Sequence, residues 1–169
     1  ILAREGSLKI DLTLQSTKPV ILNGQSGLSR KNQEIGGASY YYSCTRMATE
    51  GFISLGQHKM QVSGQSWMDR EWSTSAFSEN QIGWDWFGLQ FSDGRDLMLY
   101  QLLTEDGKVD STSSGTIIAQ DGTYHSLGFD DFVIINLDHW VSKTSGTQYP
   151  STWQIEIPDQ GIDIVIKPY

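Results

Sequence analysis

Apolar and polar residues alternate with a period of two along most of this chain. At that period successive side chains of an extended strand point to opposite faces. SLKIDLTL places Leu8, Ile10, Leu12 and Leu14 on one face and Lys9, Asp11 and Thr13 on the other. SYYYSCTR likewise predicts a strand with Tyr40, Tyr42, Cys44 and Arg46 on a common face. DLMLYQLL, TIIAQ, DFVIINL, WQIEI and GIDIVIKP read as further strands, rich in β-branched and aromatic residues. Asp93-Gly94, Asp106-Gly107 and Asp121-Gly122 fall at hairpin spacing and predict a meander of four consecutive antiparallel strands. No segment holds a helical period for more than about three turns. The expected fold is all-β, closed into a barrel or sandwich so that strand edges are not left open.

Two stretches interrupt the alternation. NGQSGLSRKNQEIGG, residues 23–37, is polar and glycine-rich and reads as a long crossing loop. STSAFSENQ, residues 73–81, is polar, lacks alternation and separates two tryptophan-rich strands. The second is the better domain boundary, and strands on either side of it would then enclose a pocket.

Residues 64–91 carry four of the six tryptophans, interspersed with Asp69, Arg70, Glu71 and Asp85. On a strand over 65–72, Trp67, Asp69 and Glu71 project to one side and Met68, Arg70 and Trp72 to the other. Trp84 and Trp86 share a face, with Asp85 opposite. A carboxylic acid held against indole rings in a dry cavity has its pKa raised by desolvation and can serve as a general acid. The aromatic faces would stabilise a carbocation formed by protonating an alkene. The plainer alternative makes the acids solvated ion pairs and the tryptophans core, as for most charged strand residues. The tyrosines at 40–42 offer phenol donors, or simply another strand with one ring buried.

Composition narrows the classes. A chain of 169 residues can bury a substantial core as one large domain or as parts of two. Its net charge of −8 and its scattered lysines and arginines disfavour a nucleic-acid backbone or an anionic lipid surface. Cys44 stands alone, so an internal disulfide is excluded. His58, His125 and His139 lie far apart without metal-ligand spacing, and there is no Gly-x-Ser-x-Gly elbow. Neither a metal nor a cofactor is expected. No run approaches the ~20 apolar residues of a membrane-spanning helix. The chain starts ILAREG, without an initiator methionine, and is expected to be a piece of a longer protein, which leaves its compartment open.

Four blocks, YYYSCTR, GQSWMDREW, GWDWFGLQFSDGRDLMLYQL and TQYPSTWQIEIP, follow one another as in the family of AttH and carotenoid 1,2-hydratase. The chain resembles that family over roughly residues 8–169, and its AttH branch most. The resemblance implies two tandem lipocalin-like antiparallel β-barrels or sandwiches, incomplete here, with a ligand cavity near their junction. Residues 1–74 would be the C-terminal part of the first domain and 79–169 most of the second, with further strands before Ile1 and after Tyr169. The hydratases' Tyr-x-Asp falls on Trp67-Met68-Asp69, which makes Asp69 the implied proton donor to an isoprenoid double bond. Their His-x-Trp pair falls on Tyr40 and Tyr42, and neither residue type is kept. Trp67, Tyr40, Tyr42, Glu71, Trp84 and Trp86 are the implied ligand-binding set. The implied partner is a hydrophobic small molecule: a terpenoid, a polyene or a lipid. Three functions stay open. One is hydration or isomerisation of a C=C bond; another is carriage of an apolar ligand beside an ABC exporter, in a periplasmic, secreted or lipid-anchored protein. A carbohydrate-binding β-sandwich would explain exposed tryptophans but not the four ordered blocks.

Overall fold

Alternating chains pair into sheets because each strand buries one face and must satisfy its backbone groups along both edges. The computed structural model describes residues 1–34, 36–73 and 78–169, which form three antiparallel sheets. The first holds β1 (Leu2–Glu5), β2 (Leu8–Ser16), β3 (Ile21–Leu22), β4 (Leu28–Arg30), β5 (Ala38–Leu55) and β6 (His58–Trp72). Its spine is β5, which pairs with β6 from Tyr40 to Leu55 across one register shift. On its other edge it pairs with β3 and β4 near its start and with β2 near its end. Gly51 is required where β5 crosses β2: its φ is +148°, and an added Cβ would lie 2.1 Å from the Asp11 carbonyl oxygen.

The second sheet is the meander read from the turns: β7 (Gln81–Gln90), β8 (Asp96–Thr104), β9 (Ser114–Ile118) and β10 (Tyr124–Leu127), each paired with the next. Gly94, Gly107 and Gly122 all take positive φ in the Asp-Gly turns, as tight reversals require. The third sheet is β11 (Val133–Val141), β12 (Gln148–Ile157) and β13 (Ile162–Ile166).

Strand β8 holds the layers together and is buried almost end to end. Leu97 and Leu99 pack with Phe87, Ile117, Ile155 and Ile157 against the third sheet. Met98, Tyr100 and Leu102 pack the other way, with Tyr41 and Trp67 of the first sheet. A strand covered on both faces needs no polar side, which is why DLMLYQLL reads as a continuous apolar run.

Two sequence expectations change, and one unassigned stretch gains a place. Residues 23–37 are not all loop, since β4 pairs with β5 inside them. Residues 47–62, unassigned from sequence, build the far end of the β5–β6 hairpin. Arg46 does not continue the face of Tyr40 and Tyr42: the register shifts between Cys44 and Met47, and such a bulge resets the alternation. There Thr45 and Arg46 both reach Asp96 at the start of β8. The favoured boundary at 73–81 lies partly outside the described residues, which resume at Ser78; the chain leaves the first sheet at Trp72 and enters the second at Gln81.

Candidate functional site

The register of β5 on β6 sets the site. Tyr41 stands opposite Glu71 and Ser43 opposite Asp69. The odd-numbered residues Tyr41, Ser43, Trp67, Asp69 and Glu71 therefore share the face turned towards the second sheet. Trp67, Asp69 and Glu71 do share a face, as their spacing predicted. Tyr40 and Tyr42 do not join them: they pair with Trp72 and Arg70 on the opposite face, where their rings lie 5.7 and 6.2 Å from the Trp72 ring. Tyr41, between them in sequence, is the tyrosine of this face.

Across from this face, β7 presents Trp84 and Trp86 and β8 presents Tyr100 and Leu102, and together they bound a cavity of about 320 Å³. Lys31, Tyr41, Glu71, Trp72 and Ser73 complete its wall. Asp85 points away and accepts a hydrogen bond from Gln101 at 2.8 Å. Polar groups in the wall are tied to one another. The Trp86 indole Nε1 donates to the Tyr41 hydroxyl at 3.1 Å. Lys31 Nζ lies 3.0 Å from Glu71 Oε1 and 3.7 Å from the Tyr100 ring centroid, a cation–π distance. Ser39 Oγ donates to the same Glu71 oxygen.

Asp69 sits beside the cavity rather than inside it. Its carboxylate is exposed, so the dry pocket expected around it is not what the fold provides. The outward edge of β6 stays open to solvent there. Asp69 Oδ1 accepts hydrogen bonds from Ser43 Oγ at 2.5 Å and Trp67 Nε1 at 2.8 Å. The Trp67 ring meets Trp86 edge-on, 6.3 Å between centroids at 84°. Asp69 acts on the cavity wall through its charge, which bears on the Tyr41 phenol.

Burial is the largest influence on Tyr41 and pushes its phenol well above the ordinary tyrosine range. The negative charges of Asp69 and Glu71 push the same way, and the hydrogen bond from Trp86 opposes them. Tyr41 thus keeps its proton in the folded chain at alkaline pH, whereas in the unfolded chain it ionises near the usual ~10. Above that pH the unfolded state binds fewer protons than the folded one. Stability falls as pH rises through the unfolded value, approaching about 1.4 kcal/mol per pH unit from this one group. Urea midpoints measured from pH 9 to 11 should show that slope in the wild type and a shallower one in Tyr41→Phe. Equal slopes would mean that Tyr41 titrates normally.

Sequence reasoning missed Lys31, Tyr41, Trp72, Ser73, Tyr100 and Leu102 of this wall. Lys31 lies in the stretch read as a crossing loop and carries no local signal. Tyr41 and Tyr100 become visible only once strand register is known.

With that geometry in hand, comparison with known proteins identifies the family. The AttH-like family model matches residues 1–169. The chain belongs to the AttH-like family. Its fold matches the crystal structure of a Nitrosomonas europaea protein assigned as an AttH, at a TM-score of 0.85 and 26% identity, over 92% of this chain and 48% of that one. It also matches kievitone hydratase from Nectria haematococca, at a TM-score of 0.71 and 20% identity, over 92% of this chain and 47% of that one. Among curated proteins it is similar to dehydratase asqC of Emericella nidulans, 24% identical over 170 residues, covering 95% of this chain and 46% of the relative. The AttH-like chain thus spans about half the length of these relatives. Its curled antiparallel sheets are lipocalin-like, like those of its AttH neighbour.

Proposed function

We propose that this AttH-like chain encloses a cavity for an apolar small molecule, and that the site adds water to, or removes it from, a carbon–carbon bond of that molecule. The observation that carries this reading is the aromatic-walled cavity with the Tyr41 phenol and the Lys31–Glu71 pair in its wall. On this reading β1–β6 close a first lipocalin-like domain, β7–β13 build most of a second, and the cavity lies at their junction. The names of the hydratase and dehydratase relatives support the reaction class.

In the dehydration direction Asp69 relays a proton from solvent through the Tyr41 phenol to the ligand's hydroxyl group. The C–O bond breaks, its electron pair leaves with water, and the faces of Trp84 and Trp86 stabilise the cation. Glu71 takes the proton from the adjacent carbon, and that C–H pair becomes the double bond. The proton taken by Glu71 returns to Asp69 through solvent, and hydration is the same path reversed.

The exposure of Asp69 favours a second reading, in which the cavity only carries its ligand. Native mass spectrometry with solvent extraction of the intact protein, followed by incubation in ¹⁸O-water, separates the two. Reversible hydration should place ¹⁸O in the ligand's hydroxyl group. A bound ligand recovered without label would end the catalytic reading and leave a carrier.

A further inference from the structure

Lys31 is placed with more care than a loop lysine needs. Its backbone carbonyl accepts a hydrogen bond from Gln81 Nε2 at 2.7 Å and another from Thr112 Oγ1 at 2.8 Å. Its backbone N–H donates to the Gly37 carbonyl at 2.8 Å. Groups from the second sheet and its loops thereby fix a residue contributed by the first. The side chain then runs into the cavity, only 12% exposed, between Glu71 and the Tyr100 ring. The Tyr100 hydroxyl is held in turn by Ser114 Oγ at 2.8 Å and Ser29 Oγ at 3.1 Å, so the ring that receives the cation is fixed as well.

An ammonium carries three donors, and Glu71 takes one of them. The Tyr100 face attracts the charge but is a poor substitute for an oxygen acceptor. A ligand entering an otherwise apolar cavity therefore meets a desolvated, pre-positioned cationic donor. The sign of the surroundings limits what that donor can take. Glu71 already neutralises the one ammonium in the wall, and the exposed Asp69 lies beside it, so an anionic ligand gains no net attraction, while the ammonium's remaining N–H groups can only donate and therefore hold an acceptor. What remains is a neutral oxygen.

We propose that Lys31 determines specificity at this site, donating a charge-assisted hydrogen bond to a neutral carbonyl oxygen on an otherwise apolar, aromatic-sized ligand. The inference rests on the reading of this cavity as the ligand site and adds the class of ligand it selects: a ketone rather than a plain hydrocarbon or an acid. Anchoring that oxygen at Lys31 would hold the rest of the skeleton against Trp84 and Trp86, which gives the ligand one orientation.

Three probes of matched size test it by tryptophan fluorescence: 4-phenylbutan-2-one, its hydrocarbon counterpart butylbenzene, and the anion 3-phenylpropanoate. Wild-type protein should bind the ketone about tenfold or more tightly than butylbenzene, the margin of a hydrogen bond to a charged group. It should bind the carboxylate weakest. Lys31→Met should bind ketone and hydrocarbon alike, with butylbenzene at least as tight as in wild type. The contacts that place the segment use the backbone of Lys31, so this variant keeps them. Equal wild-type affinities for ketone and hydrocarbon would overturn the proposal without any variant, as would a tenfold preference that survives in Lys31→Met. Tightest binding of 3-phenylpropanoate would replace it with an anion site. If none of the three probes binds, the reading of the cavity as a ligand site fails, and this inference fails with it.

Discussion

Asp69→Asn is expected to lower turnover by roughly two to four orders of magnitude, the usual contribution of a positioned general acid, while ligand affinity changes less than about threefold. Asparagine keeps the shape of the side chain and an oxygen that can still accept from Ser43 Oγ and Trp67 Nε1. It cannot supply the proton that the reaction needs. Only the transition state requires that proton, so the loss should appear in kcat and not in binding. The rate of ¹⁸O incorporation and a fluorescence titration on the same samples measure the two quantities separately. Retained turnover in Asp69→Asn would remove Asp69 from the chemistry, and Glu71, the carboxylate in the cavity wall, would be the next candidate. Weakened binding with unchanged turnover would make the Asp69–Trp67–Ser43 cluster a support for the wall alone.

The largest stability effect is expected at Asp96, at the start of β8 where the bulge of β5 meets the second sheet. Asp96 is completely buried and faces two cations: Lys18 Nζ at 2.8 Å and Arg46 Nη2 at 2.7 Å. Thr45 Oγ1 donates to its second oxygen at 2.8 Å. Lys18 also donates to the carbonyls of Gly94 and Ala119, at 2.6 and 2.9 Å, so one ammonium joins the first sheet's loop to both ends of the β8–β9 hairpin. Removing this carboxylate leaves the buried Lys18 and the half-buried Arg46 without their shared counter-ion. Asp96→Ala should therefore cost about 3–5 kcal/mol, the range for breaking a buried ion pair from one side. Urea unfolding should show it as a lowered midpoint at unchanged slope. Asp93→Ala is the control, because Asp93 pairs with Arg95 at the exposed turn and should barely move the midpoint. If the two variants unfold alike, the buried cluster does not hold the sheets together.

What the sequence determined is what local chemistry determines. Period-two alternation gave Leu8–Leu14 and most later strands, because side-chain direction along a strand depends only on position. The Asp-Gly pairs at 93–94, 106–107 and 121–122 gave the meander, because only a few residue types tolerate positive φ. The shared face of Trp67, Asp69 and Glu71 followed from their spacing, and the four ordered blocks led to the right family. Tertiary structure decided everything that depends on which strands meet. Whether Tyr41 or its neighbours face the cavity turns on the register of β5 on β6, and a one-residue slip would exchange them. Covering both faces of β8 required a third sheet from distant residues. Lys31 entered the wall because Gln81 and Thr112, remote in sequence, hold its backbone. Asp96 reads as an ordinary turn-flanking acid until Lys18 and Arg46 arrive from another sheet. Asp69 was recognisable as an acid beside tryptophans, but its exposure was not, since burial is a property of what packs against a residue and not of the residue itself.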